Sequence, residues 1–236
     1  MNAVALITAA GSSSRLGPGL GKKEYLALGR RRVLSTACAA FSGSGLFSKI
    51  YITVPPGDED LVRNILLEDG LPAEAVRGDR IIPVPGGETR QKSVRAGLEA
   101  AAEQAGDGRD EHFDVVLIHD GARPWVSAAL IAAVLEGTRL HGGCAPVISP
   151  SDAVKSVDEG GFITSHAGRG TTRGVQTPQG FTFRRILEAH RKAASDGAAY
   201  IDDTEIFQKY AGPVYTVPGD PRNRKITYPH DLDPIN

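Results

Sequence analysis

Residues 4–23 read VALITAAGSSSRLGPGLGKK: an apolar, β-branched run breaks off into small residues, one arginine, more glycines and two lysines. A continuous apolar run of this kind predicts a strand buried on both faces, since a half-exposed strand would alternate with polar residues. The small-residue stretch after it predicts a loop at that strand's carboxyl end. Similar runs recur at Lys49 to Val54, Arg80 to Val84, Asp114 to His119 and Cys144 to Ser149. Between them lie segments of helical period, Val33 to Phe41, Asp58 to Leu67, Thr89 to Ala105 and Ser127 to Leu140, with Leu98, Ala101 and Ala102 repeating one face of the third. Regular alternation of strand and helix gives an α/β fold, a Rossmann-like and mostly parallel sheet flanked by helices through right-handed crossovers.

The alternation stops at Ser151. From there to Gln176 the chain reads SDAVKSVDEGGFITSHAGRGTTRGVQ, two short β-prone pieces around an Asp158-Glu159-Gly160-Gly161 turn and then a polar stretch. This segment has too little apolar surface to build a core, so it predicts a protruding β-hairpin arm that packs on something else. A second copy of the chain is the simplest partner. Helices near Arg184 to Ser195 and Asp203 to Tyr210 and a strand at Val214 to Val217 follow. No linker divides the 236 residues, so the expectation is a single domain over 1–236, with 151–176 as a dimerisation arm.

The formal net charge of −1 supplies no overall field for nucleic acid or a membrane surface, and any anion must be met by local basic residues. The opening apolar stretch is too short for a membrane span and lacks the basic start of a signal peptide. A cytoplasmic, soluble protein is the expectation. The two cysteines, Cys38 and Cys144, stand among Ala, Val and Pro and read as small buried thiols rather than a disulfide or metal ligands.

Gly, Ala and Ser after a strand suit a phosphate cradle, because backbone N–H groups can approach an oxyanion closely there. Two familiar motifs fail. A P-loop needs G-x-x-x-x-G-K-[ST], but Leu16 stands five positions before Gly21-Lys22 and Lys23 follows it; Gly17-Pro18-Gly19-Leu20-Gly21 lacks the dinucleotide spacing. Taken alone, the loop reads equally well as a solvated surface segment.

Other stretches decide. Ala9-Ala10-Gly11, then Arg15, then Lys23-Glu24-Tyr25-Leu26 resembles the loop of sugar-phosphate nucleotidyltransferases. Further matches are Gly86-Gly87-Glu88-Thr89-Arg90-Gln91-Lys92-Ser93-Val94, the run from His119-Asp120-Gly121-Ala122-Arg123 to Pro124, Gln176-Thr177-Pro178-Gln179, and Asn223-Arg224-Lys225-Ile226-Thr227. Together, in order and at compatible spacing over nearly the whole chain, they resemble the 2-C-methyl-D-erythritol 4-phosphate cytidylyltransferases of the non-mevalonate isoprenoid pathway.

That resemblance implies the nucleotidyltransferase fold and transfer of CMP from CTP to 2-C-methyl-D-erythritol 4-phosphate, with Mg²⁺ as cofactor and no metal ligands assigned. It implies Arg15 and Lys23 as the catalytic cations at the α-phosphorus. It implies CTP binding by Ala9, Ala10, Gly11, Ser12, Gly87, Glu88, Arg90, Ser93, Asp120 and Gly121. It implies acceptor binding by Asp120, Arg123, Arg169, Thr177 and Lys225. The chemistry suits the residue types, since nucleotidyl transfer crowds negative charge that a guanidinium fork and an ammonium can meet.

Blander readings stand beside these. Glu88 and Thr89 also suit a helix's first turn, and His119 reads as a packed, hydrogen-bonded histidine rather than a general base. Lys22, which stands where the family pattern carries proline, reads as a solvated surface charge. Ala153 replaces a threonine that touches the acceptor in some members, while Asp152 and Lys155 match. A ribitol 5-phosphate cytidylyltransferase and a non-catalytic CTP-binding regulator are the alternatives. Because the chain stops soon after Lys225, no second catalytic domain is expected.

Overall fold

The computed structural model describes residues 2–11, 21–106 and 112–232. Strand β1 (Ala3–Thr8) runs down the middle of the main sheet, with β4 (Lys49–Val54) and β6 (Val115–Asp120) parallel to it on either side and β5 (Ile81–Pro85) parallel beyond β4. These strands are buried along nearly their whole length, and their side chains divide between two cores. Ala3, Ala5, Ile7, Val115 and Leu117 face one layer, formed with α1 (Val33–Gly43), α2 (Glu59–Glu68) and α5 (Ala128–His141). Val4, Leu6, Val116 and Ile118 face the other, formed with α4 (Arg90–Gly106), α6 (Phe183–Ser195) and α7 (Asp203–Tyr210). Period-two alternation between two apolar layers is what a doubly covered sheet requires. Full burial of each valine, leucine or isoleucine side chain here stabilises the fold by about 1.5–3 kcal/mol.

The predicted strands and helices lie within one or two residues of the observed ones. The Ser127 side chain accepts the Leu130 N–H at 3.2 Å and so caps the start of α5. Other elements were not foreseen. Short α3 (Ala73–Arg77) and the small pair β2 (Ala27–Leu28) with β3 (Arg31–Arg32) carry too few residues to show a period.

More consequential is β11 (Gln179–Thr182), which runs antiparallel between β6 and β7 (Gly143–Ile148). The short strand β10 (Gly174–Val175), in the same stretch of chain, also pairs antiparallel with β7, while β12 (Tyr215–Pro218) pairs parallel with β7. The sheet is therefore parallel through its centre and mixed on one side. Between β7 and β10 the chain leaves the sheet to form the hairpin of β8 (Lys155–Val157) and β9 (Ile163–His166), every residue of which is exposed, including Val157 and Ile163. Phe162, in the turn between them, is exposed as well. Among the described residues, no helix is long and apolar enough to cross a membrane.

Cys38 and Cys144 are buried thiols, as expected, and burial pushes their pKa values up to about 12 and about 11.

Candidate active site

The carboxyl ends of β1, β4, β5 and β6 lie side by side, with Thr8 in register with Thr53 and with Asp120. The loops leaving these strands are pinned to one another. Ala9 N–H donates to the Thr53 carbonyl at 2.8 Å, Gly86 N–H to Val54 at 2.7 Å and Gly121 N–H to Thr8 at 2.9 Å. A Cβ at Gly86 would fall 2.5 Å from Ala10 Cβ and 3.1 Å from Ser93 Oγ. Only a glycine lets the GGETRQKSV segment meet the opening loop so closely.

Ser93, buried in the first turns of α4, accepts the Gly87 N–H at 3.1 Å and lies 3.0 and 2.9 Å from the carbonyls of Gly87 and Thr89. Its hydroxyl fixes the turn that carries Gly87. Glu88 instead points to solvent, paired with Lys92 at 2.6 Å, so the helix-start reading describes its present contacts.

Asp120 is the electrostatic centre. Its Oδ1 accepts from Arg90 Nε at 3.2 Å, and its Oδ2 lies 2.8 Å from Lys225 Nζ and 3.5 Å from Arg123 Nε. Burial alone would raise the pKa of this carboxyl, but Arg90, Lys225 and Arg123 outweigh it and hold the group well below the usual carboxylate range. Arg90 also forms an ion pair with Asp203 at 2.8 Å, and Asp203 meets His190 Nε2 at 3.1 Å. Arg90, Arg123 and Lys225 against Asp120 and Asp203 leave one positive charge unneutralised. Asp203 and His190 had no place in the sequence reading. Asp202 caps α7 and marks where that helix starts, but carries no sign that the next carboxylate turns inward.

Neutral groups set the backbone beneath this cluster. His119 is fully buried, its Nε2 3.0 Å from the Arg123 carbonyl and its Nδ1 3.0 Å from Thr177 Oγ1. The carbonyl can only accept, so Nε2 carries the proton and Nδ1 accepts from the Thr177 hydroxyl. Thr177 Oγ1 in turn accepts the Asp120 N–H at 3.1 Å. Burial lowers the His119 pKa to about 4, so it is a neutral structural group, as the sequence reading expected. Buried Asn223 donates to the Thr177 carbonyl at 2.8 Å and receives Arg123 Nη1 on its own carbonyl at 2.9 Å. Ile226 N–H donates to Ala122 at 2.8 Å, which docks the Lys225 segment on the strand-end turn. Asn223 and Gln176 were visible only as motif letters, and their partners give them a positioning role.

Lys23 opens a single 3-10 turn, Lys23–Tyr25, with its side chain largely covered and 4.0 Å from the buried Glu24 carboxylate. Lys22 corrects an expectation. It is half-buried rather than solvated, and its Nζ donates to the Gly11 carbonyl at 2.8 Å and approaches that of Ala10 at 3.4 Å. Ser12 and Arg15 lie outside the described residues. The chain thus brings together Ala9, Ala10, Gly87, Arg90, Ser93, Asp120, Gly121, Arg123, Thr177 and Lys225. Arg169 lies apart, exposed on the arm after β9 beside Asp152 and Ala153.

A doubly covered sheet whose strand ends carry a small-residue loop and a carboxylate ringed by basic groups defines a nucleotidyltransferase-type α/β protein. Sequence comparison narrows the class. The chain belongs to the family described as IspD, 2-C-methyl-D-erythritol 4-phosphate cytidylyltransferase, whose profile matches residues 3–235.

A bifunctional enzyme IspD/IspF of Bradyrhizobium sp. (strain BTAi1) is 39% identical over 229 residues, which cover 97% of this chain and 54% of that protein. The chain spans about half the length of the curated relatives it matches. Among solved structures, 2-C-methyl-D-erythritol 4-phosphate cytidylyltransferase of Thermus thermophilus is 32% identical, with a TM-score of 0.74 and 98% and 96% of the two chains covered. The 4-diphosphocytidyl-2C-methyl-D-erythritol synthase of Anaerococcus prevotii superposes with a TM-score of 0.79 at 27% identity, covering 98% and 92%.

Proposed function

We propose that the chain is a cytoplasmic cytidylyltransferase that transfers CMP from CTP to 2-C-methyl-D-erythritol 4-phosphate, giving 4-diphosphocytidyl-2-C-methyl-D-erythritol and pyrophosphate. The observation that carries this reading is the convergence of Arg90, Arg123 and Lys225 on Asp120, beside a loop that ends in Lys23, in a chain matched by the family profile over residues 3–235. Among the described residues, the site offers surplus positive charge but no histidine free to act as a base. Its histidine is neutral and committed to two hydrogen bonds. Such a site suits a nucleophile that is already an anion.

An oxygen of the acceptor phosphate forms a bond to the α-phosphorus of CTP, and the bond from that phosphorus to the oxygen bridging the β-phosphorus breaks. The electron pair leaves with pyrophosphate. Lys23, together with Arg15, meets the growing charge on the α-phosphoryl oxygens, and the Gly87 turn reads the base. Lys225 and Arg123 face the acceptor phosphate.

Metal dependence is general in the family, and Mg²⁺ is the ion we assign. The residues fit an ion carried mainly by the triphosphate. Among the described residues there is no group of three or more His, Cys, Asp or Glu able to hold a metal, whereas Asp120 is a carboxylate kept ionised at the strand ends. Mg²⁺ commonly takes one or two carboxylates with phosphate and water. Asp120 would hold it, and the ion would neutralise triphosphate charge. The exposed arm, with Phe162, Ile163 and Val157 uncovered, is assigned to a homodimer in which Arg169 reaches the partner's acceptor.

Pyrophosphate release with CTP and either methylerythritol phosphate or ribitol 5-phosphate tests the reading. Turnover is expected with the first acceptor. A preference for ribitol phosphate, or CTP binding without any pyrophosphate, overturns it.

A further inference from the structure

Among the described residues of the opening loop, Lys22 has contacts that contradict its sequence reading. Its ammonium sits against two consecutive carbonyls, Ala10 and Gly11, at 3.4 and 2.8 Å, and 5.9 Å from the centre of the Tyr25 ring. Among the described residues, the charged groups around it are Glu24 and Asp58, with Lys23 adjacent in the chain. Burial lowers its pKa, and the attraction of Glu24 and Asp58 opposes that shift only in part.

Carbonyl oxygens are the wrong sign for a surface that must face a triphosphate. A trans peptide points its C=O and N–H to opposite sides. A cation that holds the Ala10 carbonyl therefore turns the Gly11 N–H away from itself, and it polarises that N–H toward an anion. The Lys22 backbone, at φ −80° and ψ 127°, lies within reach of the angles proline adopts. Proline is the residue the family pattern carries here, so the backbone conformation does not require lysine. The side chain does the distinctive work.

From this geometry we infer that Lys22 is a positioning residue of the phosphate cradle, gripping the Ala10 and Gly11 carbonyls so that the Gly11 N–H faces the bound triphosphate. The inference deepens the nucleotidyltransferase reading and rests on its assignment of this loop to phosphate. It does not rest on the choice of base or acceptor.

The test measures binding of inorganic tripolyphosphate, and of CTP and ATP in parallel, by calorimetry to the wild type, Lys22→Met, Lys22→Arg and Lys22→Pro. Loss of a charge-assisted contact should weaken tripolyphosphate and CTP binding about tenfold in Lys22→Met. Lys22→Arg, whose guanidinium offers several donors to the two carbonyls, should restore most of it. Lys22→Pro should behave like Lys22→Met. Equal melting temperatures for the four proteins separate this loss from misfolding.

Wild-type tripolyphosphate affinity in Lys22→Met or in Lys22→Pro overturns the inference, as does a wild type that binds no tripolyphosphate. A wild type that binds tripolyphosphate yet shows no preference for CTP over ATP counts against the cytidine assignment alone. The lysine inference stands or falls on the tripolyphosphate arm.

Discussion

Asp120 accepts from or faces three cations while its own N–H is held by Thr177, so its charge is what lets those cations share one small volume. Replacing it with asparagine keeps the size and removes the charge. Breaking one side of a buried ion cluster costs about 3–5 kcal/mol. Asp120→Asn should therefore lower the denaturation midpoint and reduce kcat/KM by about 100-fold or more. Unchanged stability would show that the cations do not depend on it.

At this scale the sequence was legible where residue types stand in a recognisable string, as in HDGARP and NRKIT. It was silent where partners meet only through the fold. Asp203 reaches Arg90 across more than a hundred residues of chain, and nothing local marks it as the second anion of the cluster. Lys22 was misread for the same reason, because only the fold shows the carbonyls waiting for it.

Strands buried on both faces were the easiest elements to read, since their apolar runs are continuous. β11 hid because its sequence, QGFT, is short and carries a glutamine and a glycine, and because its burial comes from β6 and β7 on either side. That strand matters for the site, for Thr177 lies just ahead of it in the chain. The arm was legible as a hairpin and exposes Val157, Phe162 and Ile163 together. Exposed apolar clusters commonly mark interaction sites, and the proposed homodimer would cover this one. Excising residues 153–168 and closing the gap with a short glycine linker should give a monomer by sedimentation, with activity lost because Arg169 no longer reaches a neighbouring site. A fully active monomer would refute the shared-site assignment.

For the molecule as a whole, the buried neutral His119 links stability to pH. Its folded pKa of about 4 lies below the ordinary 6.5. Between those values the unfolded chain binds a proton that the folded chain refuses. Stability therefore rises with pH through this window, is fully present above it, and is lost as pH falls toward 4. The full effect is on the order of 3 kcal/mol. Asp120 and Asp203, whose pKa values are lowered, contribute stability that is present above about pH 4 and lost below it, which leaves the window to the histidine. Urea midpoints from pH 4.5 to 7.5 should climb in the wild type and climb much less in His119→Gln. Parallel curves would show that another group governs the slope.

The placement of β11 also bears on the order in which a nascent chain acquires its parts. Synthesised from its amino end, the polypeptide completes β1, β4, β5 and β6 while one edge of β6 still lacks its neighbour. The carboxylate at the end of β6 then has neither Thr177 beneath it nor Lys225 and Arg123's anchor Asn223 beside it. Those arrive only after the arm has been made. On the ribosome, the half of the protein that looks self-sufficient in sequence carries an open strand edge beside β6, the kind of partly built surface that chaperones bind.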